Sequence, residues 1–110
     1  MNVTKQQVNN ELSRYIEVEN VDQVDNKQLF VVKVADSEIE LLVSYYTVIG
    51  LRDMYGWCYT NRNYSVTTAK QLSKFRGMNG GHALSEMGFQ CLINEALGLT
   101  HSQAEYLTDR

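Results

Sequence analysis

Hydroxyls, amides and cations crowd one stretch of this 110-residue chain, YTNRNYSVTTAKQLSKF, from Tyr59 to Phe75. Ser65, Thr67 and Thr68 sit where a helical pattern begins, with Arg62 and Lys70 on either side. A helix N-terminus gathers unbonded backbone N–H groups and a partial positive charge, so this set could hold a phosphate or sulfate. The same hydroxyl residues suit plain helix capping. The segment lacks the glycines of a phosphate cradle, which favours capping.

A second chemistry is cationic. Lys70 and Lys74 stand one helical turn apart, with Arg76 just beyond, and Arg52 and Arg62 fall in the turns around a short aromatic strand. Tyr55, Trp57 and Tyr64 are interleaved with them and could stack on bases or meet a protein partner. Net charge is −3, yet residues 1–40 carry −4, residues 41–80 carry +4 and residues 81–110 carry −3. Five bases in an acidic chain fall short of the usual nucleic-acid footprint. The N-terminal acids, from Glu11 to Glu40, could present an acidic face to a basic groove; ordinary solubility explains them equally well.

Catalytic patterns are missing from the sequence. His82 and His101 have no Cys, Asp or Glu at ligand or triad spacing, and Cys58 and Cys91 form no paired-cysteine motif. No nucleophile elbow, metal motif or phosphate loop occurs. The expectation is a protein that is not an enzyme and needs no cofactor or metal. LGLTHSQAEYL has the look of an entry to a helix-turn-helix reader, but Glu105 and Asp109 stand where a groove reader wants cations.

The elements that must carry these residues follow from periodicity. A chain of this length reads as one domain, residues 1–110, with a modest core. VTKQQVNNELSRYI spaces Val8, Leu12, Tyr15 and Ile16 as a helix, with Thr4 and Gln7 as a capping box. Gln28–Ala35 is a β-branched strand, Asp36–Ser37 a tight turn, and Glu38–Leu51 one longer strand ended or bulged at Gly50. Val21 and Val24 suggest a short strand at the edge of a polar turn. Trp57–Thr60 makes a third strand, left through an Asn61–Asn63 turn.

The helical half starts at Ser65. Val66, Ala69, Leu72 and Phe75 give a stripe on a helix of about ten residues that stops at Gly77. After a glycine loop, His82–Leu97 reads as a helix with Leu84, Met87, Cys91 and Leu92 on one face and Gly98 as its stop. Thr100 and Gln103 cap a last short helix. The fold class expected is α+β: an N-terminal helix, a three-stranded antiparallel β-sheet, then two or three helices. Its free sheet edges would allow a homodimer. No apolar run reaches transmembrane length and no signal peptide is visible, so a cytoplasmic location with free thiols and no membrane contact is expected.

VSYYTVIGL and WCYTNRNYSVTTAKQLSKF resemble a domain of unknown function from small phage and prophage proteins. Its pattern is a Ser-Tyr-x-Thr strand, a short aromatic strand, and Tyr-Ser-x-Thr-Thr-x-Lys opening a helix. Ser44, Tyr45 and Thr47 match the first part, with Tyr46 inserted, and Tyr64, Ser65, Thr67, Thr68 and Lys70 match the second. Gln71 stands where that pattern often has a histidine. The likeness covers Ser44 to Phe75. It implies a phage-type origin, a small β-then-α module and no catalytic activity. Together these readings lead to a phage accessory protein that binds a host protein, most concretely an anti-CRISPR-like inhibitor of a bacterial defence nuclease. The alternative is a small nucleic-acid-binding module built on Arg52, Arg62, Lys70, Lys74 and Arg76.

Overall fold

The capping box at Thr4 forms as expected: Gln7 N–H donates to the Thr4 hydroxyl at 3.1 Å, and Thr4 N–H donates to the Gln7 side chain at 2.8 Å. The computed structural model describes residues 2–109. This first helix, α1 (Lys5–Leu12), buries Val8 and Leu12. The chain then builds β1 (Val18–Gln23), β2 (Leu29–Val34), β3 (Glu40–Ser44), β4 (Thr47–Asp53) and β5 (Gly56–Thr60) as an antiparallel meander. Helix α2 (Val66–Asn79) follows, then a sixth strand, β6 (His82–Leu84), parallel to β5. Helices α3 (Glu86–Leu97) and α4 (His101–Thr108) complete the order.

The α+β class holds, but the expected three-stranded antiparallel sheet is wrong. The sheet has six strands in sequence order, β1 to β6, and is mixed because β6 runs parallel. Three features account for the difference, the first being that the edge segment around Val21 is a full strand, β1. The apolar run 38–51 is two strands, since the chain reverses at Tyr45–Tyr46 with Tyr45 at φ 55°. Tyrosine is an uncommon residue at positive φ, so no ordinary turn signal marks the reversal. The segment 82–84 pairs with β5 rather than starting the helix, and Ser85 caps α3 instead, accepting from Gly88 N–H at 3.0 Å.

Strand alternation sends two sets of side chains to opposite faces. Phe30, Val32, Leu41, Val43 and Leu51 meet α1, Phe89 and Ile93 of α3, and Ala104 and Leu107 of α4. Leu29, Leu42, Ile49, Trp57 and Tyr59 point the other way, against Phe75 of α2, with Leu72 beside them. Register shifts between Leu42 and Val43, whose partners are Gly50 and Val48, so a bulge is present but falls at Ile49, beside Gly50, the position expected to end or bulge the strand. A Cβ on Gly50 would lie 3.0 Å from the Tyr59 ring and 3.1 Å from Leu42 Cβ, which places it on the α2 side.

Helix α2 runs through Gly77 and ends at Gly80; of the expected stripe Phe75 is buried and Leu72 packs beside it, whereas Ala69 is exposed and Thr68 is buried instead. Val66 is exposed. In α3, Met87 and Cys91 are exposed while Phe89 and Ile93 are buried, so the inward face is rotated from the one expected. Gly98 does end α3 in the left-handed region, at φ 64°. At the sheet edges, β1 exposes Glu19 and Asp22, charges that discourage edge pairing, and β6 is only three residues long.

Candidate functional site

Two stretches distant in sequence meet at the start of α2. Ser65 is the N-cap, extended at φ −111°, and its hydroxyl accepts from Thr68 N–H at 3.1 Å. The Ser65 hydroxyl also donates to Thr68 Oγ1 at 3.2 Å. Ser44, at the end of β3, lies 3.3 Å from the same Thr68 oxygen and donates to Gln71 Oε1 at 2.8 Å. A hydroxyl chain therefore pins α2 to the sheet. With Tyr45, Thr47 and Tyr64 these residues line a recess of about 370 Å³. Its buried Ser44 and Thr68 hydroxyls are engaged by each other, by Gln71 and by the Ser65 cap, which is what capping requires. Thr67 is exposed and faces a different cleft.

Arg62 and Tyr64 tie the strand exit to the C-terminal helices. Arg62 Nη1 donates to Glu86 Oε1 at 3.0 Å, is ion-paired with Asp109, and its guanidinium lies 5.3 Å from the Tyr64 ring centroid. The Tyr64 hydroxyl donates to the Thr108 carbonyl. Burial pushes the Tyr64 phenol up to about 12, with the Arg62 charge pulling it partway back. Arg52 faces Glu40 across the β3–β4 pair and donates from Nε to Glu40 Oε1 at 2.6 Å. Tyr55 lies at the β4–β5 turn, 90% exposed.

The remaining cations flank α2 on two sides. Lys70 and Lys74 overhang a cleft of about 410 Å³ between α2 and the β1–β2 turn. Val24, Leu29, Phe75 and Met78 supply its apolar surface, and Lys27 and Asp25 stand on the opposite rim. Lys27, Lys70 and Lys74 are exposed and take part in none of the ion pairs among the described residues. Arg76 lies on the other side of α2, in a groove of about 670 Å³ that Arg62 also lines. Of the residues expected to bind a partner, only Lys70 and Lys74 share the apolar cleft. Sequence reasoning passed over Lys27 and Leu29, because a turn lysine 43 positions before Lys70 carries no local signal of the meeting.

Trp57, 8% exposed, and Tyr59, 1% exposed, lie under α2. Phe75 meets Trp57 edge-on at 5.0 Å between centroids and 86° between planes. The Tyr59 hydroxyl donates to the Gly80 carbonyl at 2.6 Å, and burial pushes this phenol up to about 12 as well.

The parallel pairing places Cys58 opposite His82, a cysteine–histidine adjacency that sequence spacing hides. Burial, and then the Asp53 carboxylate, push the Cys58 thiol up, which disfavours the thiolate a nucleophile needs. Cys91 and His101 are exposed on separate helices. Among the described residues no three His, Cys, Asp or Glu side chains gather as metal ligands, and no helix is long and apolar enough to cross a membrane.

One family model, described as a family of unknown function (DUF8033), matches residues 1–90. That span contains α1, the whole sheet, α2 and the first turn of α3. No curated protein and no solved structure matches the chain.

Proposed function

We propose that this chain, which belongs to the DUF8033 family, is a non-enzymatic binding protein whose partner is another protein, held at the lysine-rimmed cleft beside α2. The observation that carries this reading is the cleft itself. Three lysines outside every ion pair among the described residues surround apolar surface from Leu29, Phe75 and the 74%-exposed Met78. An apolar anchor site with a charged rim is how protein interfaces concentrate affinity and select partners. The resemblance of Ser44–Phe75 to phage proteins directs attention to a bacterial host protein, with a defence nuclease of the CRISPR type as the most concrete candidate.

Nucleic acid is the second reading, and Lys70, Lys74 and Arg76 are the groups that favour it. It is weaker because Arg52 and Arg62 are occupied by Glu40, Glu86 and Asp109. Of the aromatics named for stacking, Trp57 is buried and Arg62 lies over the Tyr64 ring, so only Tyr55 offers a free face.

Affinity capture from bacterial lysate, with the wild-type chain and a K70E/K74E variant as baits, tests the first reading. A saturable partner held by the wild type and lost by the variant is the expected result. Recovery of no specific partner would refute it. Binding of DNA or RNA that falls steeply as salt rises would favour the second reading.

A further inference from the structure

Helix α2 covers only part of its sheet face, and the uncovered part beside β2 forms the cleft. Its floor is apolar: Leu29 is buried, and the Phe75 ring is already packed on Trp57. Met78, long and polarizable, borders the floor and can adapt to varied shapes. The volume, about 410 Å³, lies at the small end of the roughly 300–1,000 Å³ typical of small-ligand pockets. It suits a few inserted side chains and is too small for a folded surface. The rim is one-sided in charge, with Lys27, Lys70 and Lys74 against Asp25 alone. Lysine stems extend the apolar wall while their ammonium groups stay at the water boundary. Lys70 and Lys74, one helical turn apart, present two such groups on the same wall.

We infer that the cleft takes an acidic, amphipathic peptide segment: one or two apolar side chains rest between Leu29, Phe75 and Met78, and flanking carboxylates meet Lys27, Lys70 and Lys74. This rests on the binding reading above and names the partner's chemistry. Charge complementarity selects the segment, since a basic peptide brings like charges together and a neutral polar one gains nothing from the floor. A phosphate backbone would satisfy the lysines but leave the apolar floor unused.

Selection from a random short-peptide library displayed on yeast tests the inference directly. Baits are the wild type, K27E/K70E/K74E, and Met78→Glu; all four side chains are exposed, and circular dichroism checks that each variant is folded. The wild type should enrich Leu, Phe or Met flanked by Asp and Glu. The triple reversal should weaken those peptides about tenfold or more and enrich basic sequences instead. Met78→Glu should weaken them as well. Absence of a consensus, a basic consensus on the wild type, or acidic peptides that bind the triple variant equally would overturn the inference. Self-association of the wild type that the triple reversal abolishes would assign the cleft to a second copy's acidic edge and overturn it too. A lysate partner that survives the charge reversal would refute the cleft as the site in both readings and leave only protein binding at another surface. Acidic peptides selected without any lysate partner would retire the host-protein reading and uphold the ligand class.

Discussion

Truncating Phe75 to alanine should detach α2 while leaving the rest of the molecule folded. Phe75 is the large buried side chain that α2 contributes to its own side of the sheet, against Trp57 at 5.0 Å and Tyr59 at 6.2 Å between centroids. Removal of a buried Phe side chain costs about 3–5 kcal/mol. Of this, each aromatic pair accounts for about 0.5–1.5 kcal/mol. A domain of this kind has a total stability of about 5–15 kcal/mol, so the loss is large if it acts globally. It should act locally, because α1, α3 and α4 pack on the opposite face in a separate cluster. At about 1.4 kcal/mol per decade, α2 amides should exchange roughly two to three and a half decades faster. Amides of α3 around Phe89 and Ile93 should keep their protection. Trp57 is the chain's one tryptophan, so its emission should shift to the red as the ring meets water. Hydrogen exchange by mass spectrometry reads both helices in one experiment. If α3 accelerates as much as α2, the two faces are one cooperative unit and the reasoning fails.

Gly81→Ala should destabilise strongly, because φ is +115° and the new Cβ would lie 2.5 Å from the Trp57 carbonyl oxygen. Backbone strain of about 1–3 kcal/mol adds to that contact, whereas Gly77→Ala, in open space inside α2, should gain roughly 0.5–1 kcal/mol; urea midpoints of the pair check the contrast. Tyr59 and Tyr64 both ionise at about 12 in the folded chain, against about 10 for an unperturbed tyrosine. A raised acid pKa means the fold prefers the neutral phenol. The stability it brings is complete below about pH 10 and is lost as pH rises toward 12. Urea midpoints should fall across that window, and Tyr64→Phe should flatten the fall; an unchanged slope would contradict the burial of this phenol.

The local parts of the fold were legible where short-range chemistry decides them. Thr4 with Gln7, Thr100 with Gln103, and Gly98 announce helix ends, and each end is where the residues say. Ser65 likewise caps α2. What escaped was settled by distant partners. The Tyr45–Tyr46 reversal carries no turn residue, so an apolar run hid two strands. The strand His82–Leu84 has no periodicity of its own and exists because β5 offers an edge. For the candidate site, Lys70 and Lys74 were visible as a helical pair, but Lys27 and Leu29 join them only through the sheet. Arg52 and Arg62 read as free cations because their acidic partners lie 12, 24 and 47 positions away.

The placement of α2 and α3 on opposite faces has a consequence for biosynthesis. Chains emerge from the ribosome N-terminus first, and the five antiparallel strands can pair with their neighbours as they appear. At that moment the meander has α1 against one face and nothing against the other. The side now covered by α2 can close next, once Phe75 and then β6 are available. The opposite side, with Phe30, Val32, Leu41 and Val43, waits for Phe89, Ile93 and Leu107. The nascent chain thus spends the interval between β5 and α4 with its larger apolar face incomplete. That interval is when it should depend most on a chaperone.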